Sequence, residues 1–223
     1  MSSLSRIFRR IVGGGWLIVS GPSPSNLDQG FERLLEAVDL SRPILFLRPE
    51  NDLSIESEQW AFDIGELLEI PLTPLDPGSV NAGTLISSLL EAGLVLAAGG
   101  DESFWLDTLK TSLGSPQTDL AFNAETILWF TGAAGMVLGQ WTYVVSMDEI
   151  MEGMGWLPGA ILQQQESGQD LVEAVRWLLR NQSRSYALNL VGGATLALGL
   201  GGEIELWGEP NPAIVLGKGW VET

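Results

Sequence analysis

The sequence predicts an α/β fold: a three-layer α/β/α sandwich around a mostly parallel central sheet, with a small antiparallel extension at its C-terminal end. Three observations carry this. Short, uniformly apolar runs alternate with segments of helical period, the pattern of strands buried on both faces by helices. Two of those runs break directly into small-residue turns, as strands do where an open α/β sheet forms its ligand crevice. From Leu188 on, the rhythm shifts to short runs separated by glycines and prolines, which reads as a β-hairpin and a small antiparallel extension.

In chain order, Trp16 to Val19 is a first strand, ended by Gly21-Pro22-Ser23-Pro24. Leu27 to Val38 places Leu27, Phe31, Leu34, Leu35 and Val38 on one helical face. A second strand spans Ile44 to Leu47. Ser54 to Leu68 is a helix with Ile55, Trp60, Ile64, Leu67 and Leu68 as its buried stripe. Pro71 to Gly83 is too interrupted by prolines for a long element and reads as a loop or a short edge strand. Leu85 to Glu91 is a short helix, Leu94 to Ala98 a third apolar strand, and Ser103 to Leu113 the next helix. Ile127 to Phe130 is a fourth strand that runs through a turn into the start of a helix. Trp141 to Ser146 is apolar, Gly153 to Gly159 is a glycine-rich loop, and Asp170 stands where it would cap a helix over Leu171 to Arg180. Leu188 to Val191, Thr195 to Leu200, Glu203 to Trp207 and Ala213 to Leu216 form the antiparallel tail, with Gly201-Gly202 as a hairpin turn.

Composition bounds the chemistry. A chain of 223 residues with 45% hydrophobic content buries a full core, so one domain over residues 1–223 is expected. There is no cysteine, which excludes disulfides and thiolate chemistry. There is no histidine either, which removes the usual general base near neutral pH and the commonest ligand for zinc. Neither a metal nor a cofactor is expected. The 28 acidic residues against 11 basic ones give a net charge of −17, which repels phosphate backbones and anionic bilayers, so neither nucleic acid nor membrane is an expected partner. Arg6, Arg9 and Arg10 precede an apolar run from Ile11 to Val19, but Gly13, Gly14 and Gly15 interrupt it and no clear cleavage site follows. The protein reads as unexported and cytoplasmic.

The stretch around which the rest is organised is Ile127 to Gly139, ILWFTGAAGMVLG. A strand that breaks this sharply into a helix is the mounting that several hydrolase folds use to present a nucleophile, with helix-start N–H groups facing an oxyanion. Here the turn carries Ala133, which has neither a lone pair to attack with nor a proton to give up. Small residues that merely let a strand and helix pack closely are the plain alternative.

The order of these motifs resembles the dipeptidase E and cyanophycinase family of serine peptidases, whose fold is similar to class I glutamine amidotransferases. Members carry a Gly-Gly-Asp or Gly-Gly-Asn turn, a Gly-x-Ser-Ala-Gly turn, a Gly-Leu-Gly-Leu-Leu-Pro-Gly loop and an Asp-x-His-Phe segment. The matching pieces are Gly99-Gly100-Asp101, Gly132-Ala133-Ala134-Gly135 after Thr131, Gly153-Met154-Gly155-Trp156-Leu157-Pro158-Gly159, and Gln163-Gln164-Gln165-Glu166. The resemblance implies that the nucleophilic serine falls on Ala133, the histidine on or beside Gln165, and a remaining triad acid on Asp148. It also implies oxyanion-binding amides at Gly100 and Ala134.

A triad needs a base that takes the nucleophile's proton and returns it, and glutamine cannot do so. The nearest serines, Ser103 and Ser146, find no histidine anywhere in the chain. The expectation is therefore a catalytically inactive relative, a pseudoenzyme. Residues Gly99, Gly100, Asp101, Ala133, Ala134 and Gly135 would line a retained pocket for a small molecule or peptide, unless Trp129, Met136, Trp141 or Trp156 fills it. The alternative is a hydrolase of peptides or amides whose base is Asp101, Glu102 or Asp148, with Lys110 nearby. A third reading is a structural subunit, for which the apolar tail from Thr195 to Val221 offers a homodimer surface.

Overall fold

The computed structural model describes residues 15–22, 28–49, 55–114, 126–164, 171–199, 202–207 and 211–220. The apolar runs form the middle of a seven-stranded sheet. Its parallel strands are β1 (Leu17–Ser20), β2 (Ile44–Leu47), β3 (Leu72–Leu75), β4 (Leu94–Ala97) and β5 (Ile127–Thr131), in the spatial order β1-β5-β4-β2-β3. β1, β2, β4 and β5 are buried along their whole length, as strands covered on both faces must be.

Alternate residues of each strand face opposite layers. Ile18, Phe46, Leu96 and Trp129 point to one side, where α1 (Asp28–Ala37) and α2 (Ile55–Leu68) lay Leu34, Trp60 and Ile64 against them. Val19, Leu47, Val95 and Phe130 point to the other side, against α3 (Ala82–Glu91) and α4 (Glu102–Leu113) through Leu85, Trp105 and Leu109. Burying each such side chain contributes about 1.5–3 kcal/mol, so these two clusters dominate the stability of the fold.

Pro71 to Gly83 resolves into both of its expected parts. Among the described strands β3 pairs with β2 alone, at the edge of the sheet, and this is the position where Pro74 costs least, because its missing N–H would face outward. α3 starts earlier than the apolar pattern implied, at Ala82, because the Asn81 side chain accepts from the Thr84 N–H at 3.0 Å and caps it.

The largest difference from the sequence reading lies after β5. The helix expected there is a single turn, α5 (Ala133–Met136), and the chain then enters a second sheet of five strands, ordered β12-β9-β8-β6-β7. β6 (Gly139–Val144), β8 (Leu157–Gln163) and β9 (Tyr186–Asn189) are parallel, while β7 (Glu149–Glu152) and β12 (Ala213–Leu216) are antiparallel edges. Gly139 permits the early turn: a Cβ there would lie 2.7 Å from the Ala160 carbonyl oxygen. One face of this sheet, through Val144, Ala160, Leu162 and Leu188, joins the same core as Phe130 and Met136. Its other face, through Tyr143, Ile161 and Ala187, is covered by α6 (Glu173–Asn181).

The C-terminal hairpin is present as β10 (Thr195–Leu198) and β11 (Ile204–Trp207), and β10 lies antiparallel to β1, extending the large sheet. β12 instead closes the small sheet, so the antiparallel tail is shared between the two sheets. Asp170, Gln165 and the segment before Gly15 lie outside the described residues. No helix among the described residues is long and apolar enough to cross a membrane.

Candidate functional site

β4 and β5 are parallel neighbours with Ala97 beside Phe130, so the turns that follow them emerge side by side at the carboxyl edge of the large sheet. After β4, Gly99 and Gly100 both take positive φ, 77° and 66°. Gly100 is needed on a second count, because a Cβ there would meet the Pro49 ring at 2.8 Å. The Trp105 Nε1–H donates to the Gly99 carbonyl oxygen at 2.6 Å and fixes the turn from beneath. Asp101 then caps α4, its carboxylate accepting from the Phe104 N–H at 2.8 Å.

After β5, Gly132 turns the chain at φ 62°, ψ −140°, and α5 begins at once with Ala133. Its N–H donates to the Ser20 carbonyl oxygen at 3.3 Å, tying the turn to β1. Gly135 sits where α5 crosses the sheet, and a Cβ there would be 2.9 Å from Val19 Cγ1 and 3.1 Å from the Phe130 carbonyl oxygen. Ala133 is half-buried and Ala134 buried, and their N–H groups open the turn of α5, where no intrahelical acceptor exists. A Cβ placed on Gly132 would meet nothing within 4 Å, so there is open space beside the turn. Trp129, Met136 and Trp156 are buried within the core clusters, and Trp141 packs toward α6.

The carboxylates divide. Glu102, one residue past the cap, is half-buried, and burial raises its carboxyl above the usual range, with Asp101 adding repulsion; the Val145 backbone opposes the shift by hydrogen bonding. Lys110 is not its partner. It lies two turns further along α4, about 12 Å at 1.5 Å per residue, and its Nζ donates to the Glu152 carbonyl oxygen at 2.5 Å. Among the described residues the buried Ser103 hydroxyl has no hydrogen-bond partner, so none of their bases reaches it.

Asp148 is held elsewhere. It takes a left-handed backbone, φ 51°, and accepts a 2.5 Å hydrogen bond from the Tyr143 hydroxyl, which raises the phenol's pKa. Tyr143 belongs to the face of the small sheet that packs on α6, whereas α5 lies against the opposite face. The carboxylate that the family spacing assigned to the triad is thus engaged on the far side of the small sheet from Ala133. Sequence reasoning missed Tyr143, although a tyrosine five positions before an aspartate across a tight turn is the signal that finds it. The position assigned to the family's histidine, Gln165, lies outside the described residues. Among the described residues no group of three or more His, Cys, Asp or Glu side chains is placed to hold a metal ion.

Sequence comparison finds no matching family model and no matching curated protein. Comparison of structures does find similar folds. One is the crystal structure of a peptidase from an acI-B1 Actinobacterium, with 16% identity, 93% of each chain covered and a TM-score of 0.65. Another is a putative peptidase E protein from Listeria monocytogenes EGD-e, with 14% identity, 87% of this chain and 98% of that one covered, and a TM-score of 0.59. The likeness at these identities is one of fold: the chain has a peptidase E-like, class I glutamine amidotransferase-like α/β architecture.

Proposed function

We propose that this protein is a catalytically inactive member of the peptidase E-like fold group, which binds a small molecule or peptide at the paired turns rather than cleaving it. The observation that carries this reading is Ala133 at the head of α5, in a chain with no histidine. A nucleophile elbow without its nucleophile or base retains only its backbone. The open space beside Gly132 and the first N–H groups of α5 suit a carboxylate or carbonyl oxygen. The test pairs turnover with binding: the protein is incubated with α- and β-aspartyl dipeptides and followed by chromatography and by calorimetry. Binding without hydrolysis is the expected result, and hydrolysis above the uncatalysed rate overturns it.

One observation favours a second reading, a hydrolase with a carboxylate base. Burial raises the Glu102 carboxyl, at the edge of the same turn, and upward is the direction in which general acid-base work takes a carboxyl. On that reading Glu102→Gln abolishes a measurable amidase or peptidase activity while leaving the fold intact.

A further inference from the structure

Among the described basic residues of this acidic chain, Arg33, Arg42, Arg48 and Lys110 each hold a carboxylate or a carbonyl oxygen away from α6 and β12. Arg33 pairs with Glu36 and Glu205, Arg48 with Glu58, and Arg42 donates to the carbonyl oxygens of Leu90 and Glu91. Three others converge instead. Arg176, Arg180 and Lys218 line one groove of about 430 Å³ between α6 and the end of β12.

The rest of the lining is apolar: Leu171, Leu179, Val215 and Leu216, with the Gly217 backbone. No carboxylate lines the groove among the described residues. Glu173 touches both guanidiniums, each at 3.8 Å, the outer limit of an ion pair. One exposed carboxylate shared by two arginines leaves the groove with an excess of positive charge. In a protein of net charge −17, three cations around one apolar floor make a local positive patch that an anion complements.

The wall carrying Lys218 is built in advance. The Lys218 N–H donates to the Leu179 carbonyl oxygen at 2.9 Å, its own carbonyl oxygen accepts from the Arg184 N–H at 2.7 Å, and the Gly217 N–H donates to the Ser185 carbonyl oxygen at 2.8 Å. A Cβ on Gly217 would lie 2.8 Å from the Leu179 carbonyl oxygen, so the strand end and the helix approach more closely than a side chain there would allow. A preformed groove loses little conformational entropy on binding.

We propose that this groove binds an amphiphilic organic anion, a carboxylate or phosphate head on an apolar tail. The guanidiniums of Arg176 and Arg180 take the head, in the forked geometry that suits either oxyanion, with the Lys218 ammonium as a third charge. The tail lies on Leu179, Val215 and Leu216, of which Leu216 is 43% exposed. The ligand is a free amphiphile and not an anionic bilayer, because the remaining surface of a strongly acidic protein is repelled by such a bilayer. The site lies on the α6 side of the small sheet and is independent of the turn at Ala133.

Calorimetry on the full chain tests this with decanoate and decyl phosphate as probes, below micelle formation, and with decyltrimethylammonium as the control of equal tail and opposite charge. Both anions bind, the cation does not, and the affinity falls as sodium chloride is raised. The head that binds more tightly distinguishes a carboxylate from a phosphate ligand. Arg176→Glu with Arg180→Glu weakens the anions by at least about tenfold, as expected for loss of charge-assisted contacts. Both side chains are exposed on α6, so circular dichroism is expected to be unchanged; Lys218→Ala gives a smaller loss and serves if the double variant does not fold. The proposal is overturned by equal binding of decyltrimethylammonium, by unchanged affinity in the charge variants, by binding of the probes only when presented in vesicles, or by no binding of either anion.

Discussion

At the scale of single residues, the turn at Ala133 separates architecture from chemistry. Ala133→Ser restores a hydroxyl but no base, so a fluorophosphonate probe is expected to leave the variant unlabelled; labelling detected by mass spectrometry would falsify the pseudoenzyme reading. Gly132 is required by its positive φ, whereas Gly135 is required by contact. Gly135→Val drives branches into Val19 and the Phe130 carbonyl, and overpacking of this kind costs about 1–3 kcal/mol, read as a lower urea midpoint. Tyr186 gives a pH-dependent case. Burial holds its phenol above the ordinary tyrosine range, so the unfolded chain releases that proton first as pH rises. The neutral phenol's contribution is complete below about pH 10, the ordinary tyrosine value, and is lost at higher pH. Tyr186→Phe is expected to flatten the alkaline fall in stability, measured by urea unfolding across that range.

At the scale of elements, the large sheet was legible because its strands announce themselves. LIV before Ser20, ILFL, LVLA and ILWF carry no polar residue, and only a strand covered on both faces tolerates that. The small sheet was not legible as a separate body. β6, GQWTYV, and β7, EIME, mix polar and apolar residues, and such a pattern states that one face is buried without naming what buries it. α5 was overread because AAGMVL suits a helix locally, and the close approach of Gly139 to the Ala160 carbonyl ends it first. The candidate site divides in the same way. The glycine turns could be placed from sequence since they follow obvious strands, whereas Asp148 was assigned by spacing alone and its partner Tyr143 sits on the opposite face of β6 from Val144. At this scale Asp101→Ala is a helix-cap prediction: α4 loses the acceptor for the Phe104 N–H, at about 1 kcal/mol, seen as a small drop in melting temperature.

At the scale of the whole molecule, the two sheets share one apolar cluster that runs from Val19 and Phe130 to Leu162 and Tyr186. Removing either sheet would expose part of the face the other buries, so urea unfolding followed by fluorescence and by circular dichroism is expected to give coincident single transitions. The surplus of acidic charge acts against the compact state as a whole, and screening it stabilises: the melting temperature rises between low and physiological ionic strength, in a calorimetric scan against sodium chloride. On the far side of the large sheet, four indoles stand in a row. Trp16 lies 6.0 Å from Trp207, Trp207 lies 6.3 Å from Trp129, and Trp129 lies 5.5 Å from Trp60, ring centre to ring centre. Chromophores this close exchange excitation before they emit, so light absorbed by one indole leaves from another whose transition moment points elsewhere. The emission of the folded protein is therefore depolarised even in a rigid glass, and prying the β10–β11 hairpin away from β1 breaks the relay at Trp207 and recovers part of the polarisation, with Trp129 and Trp60 still exchanging.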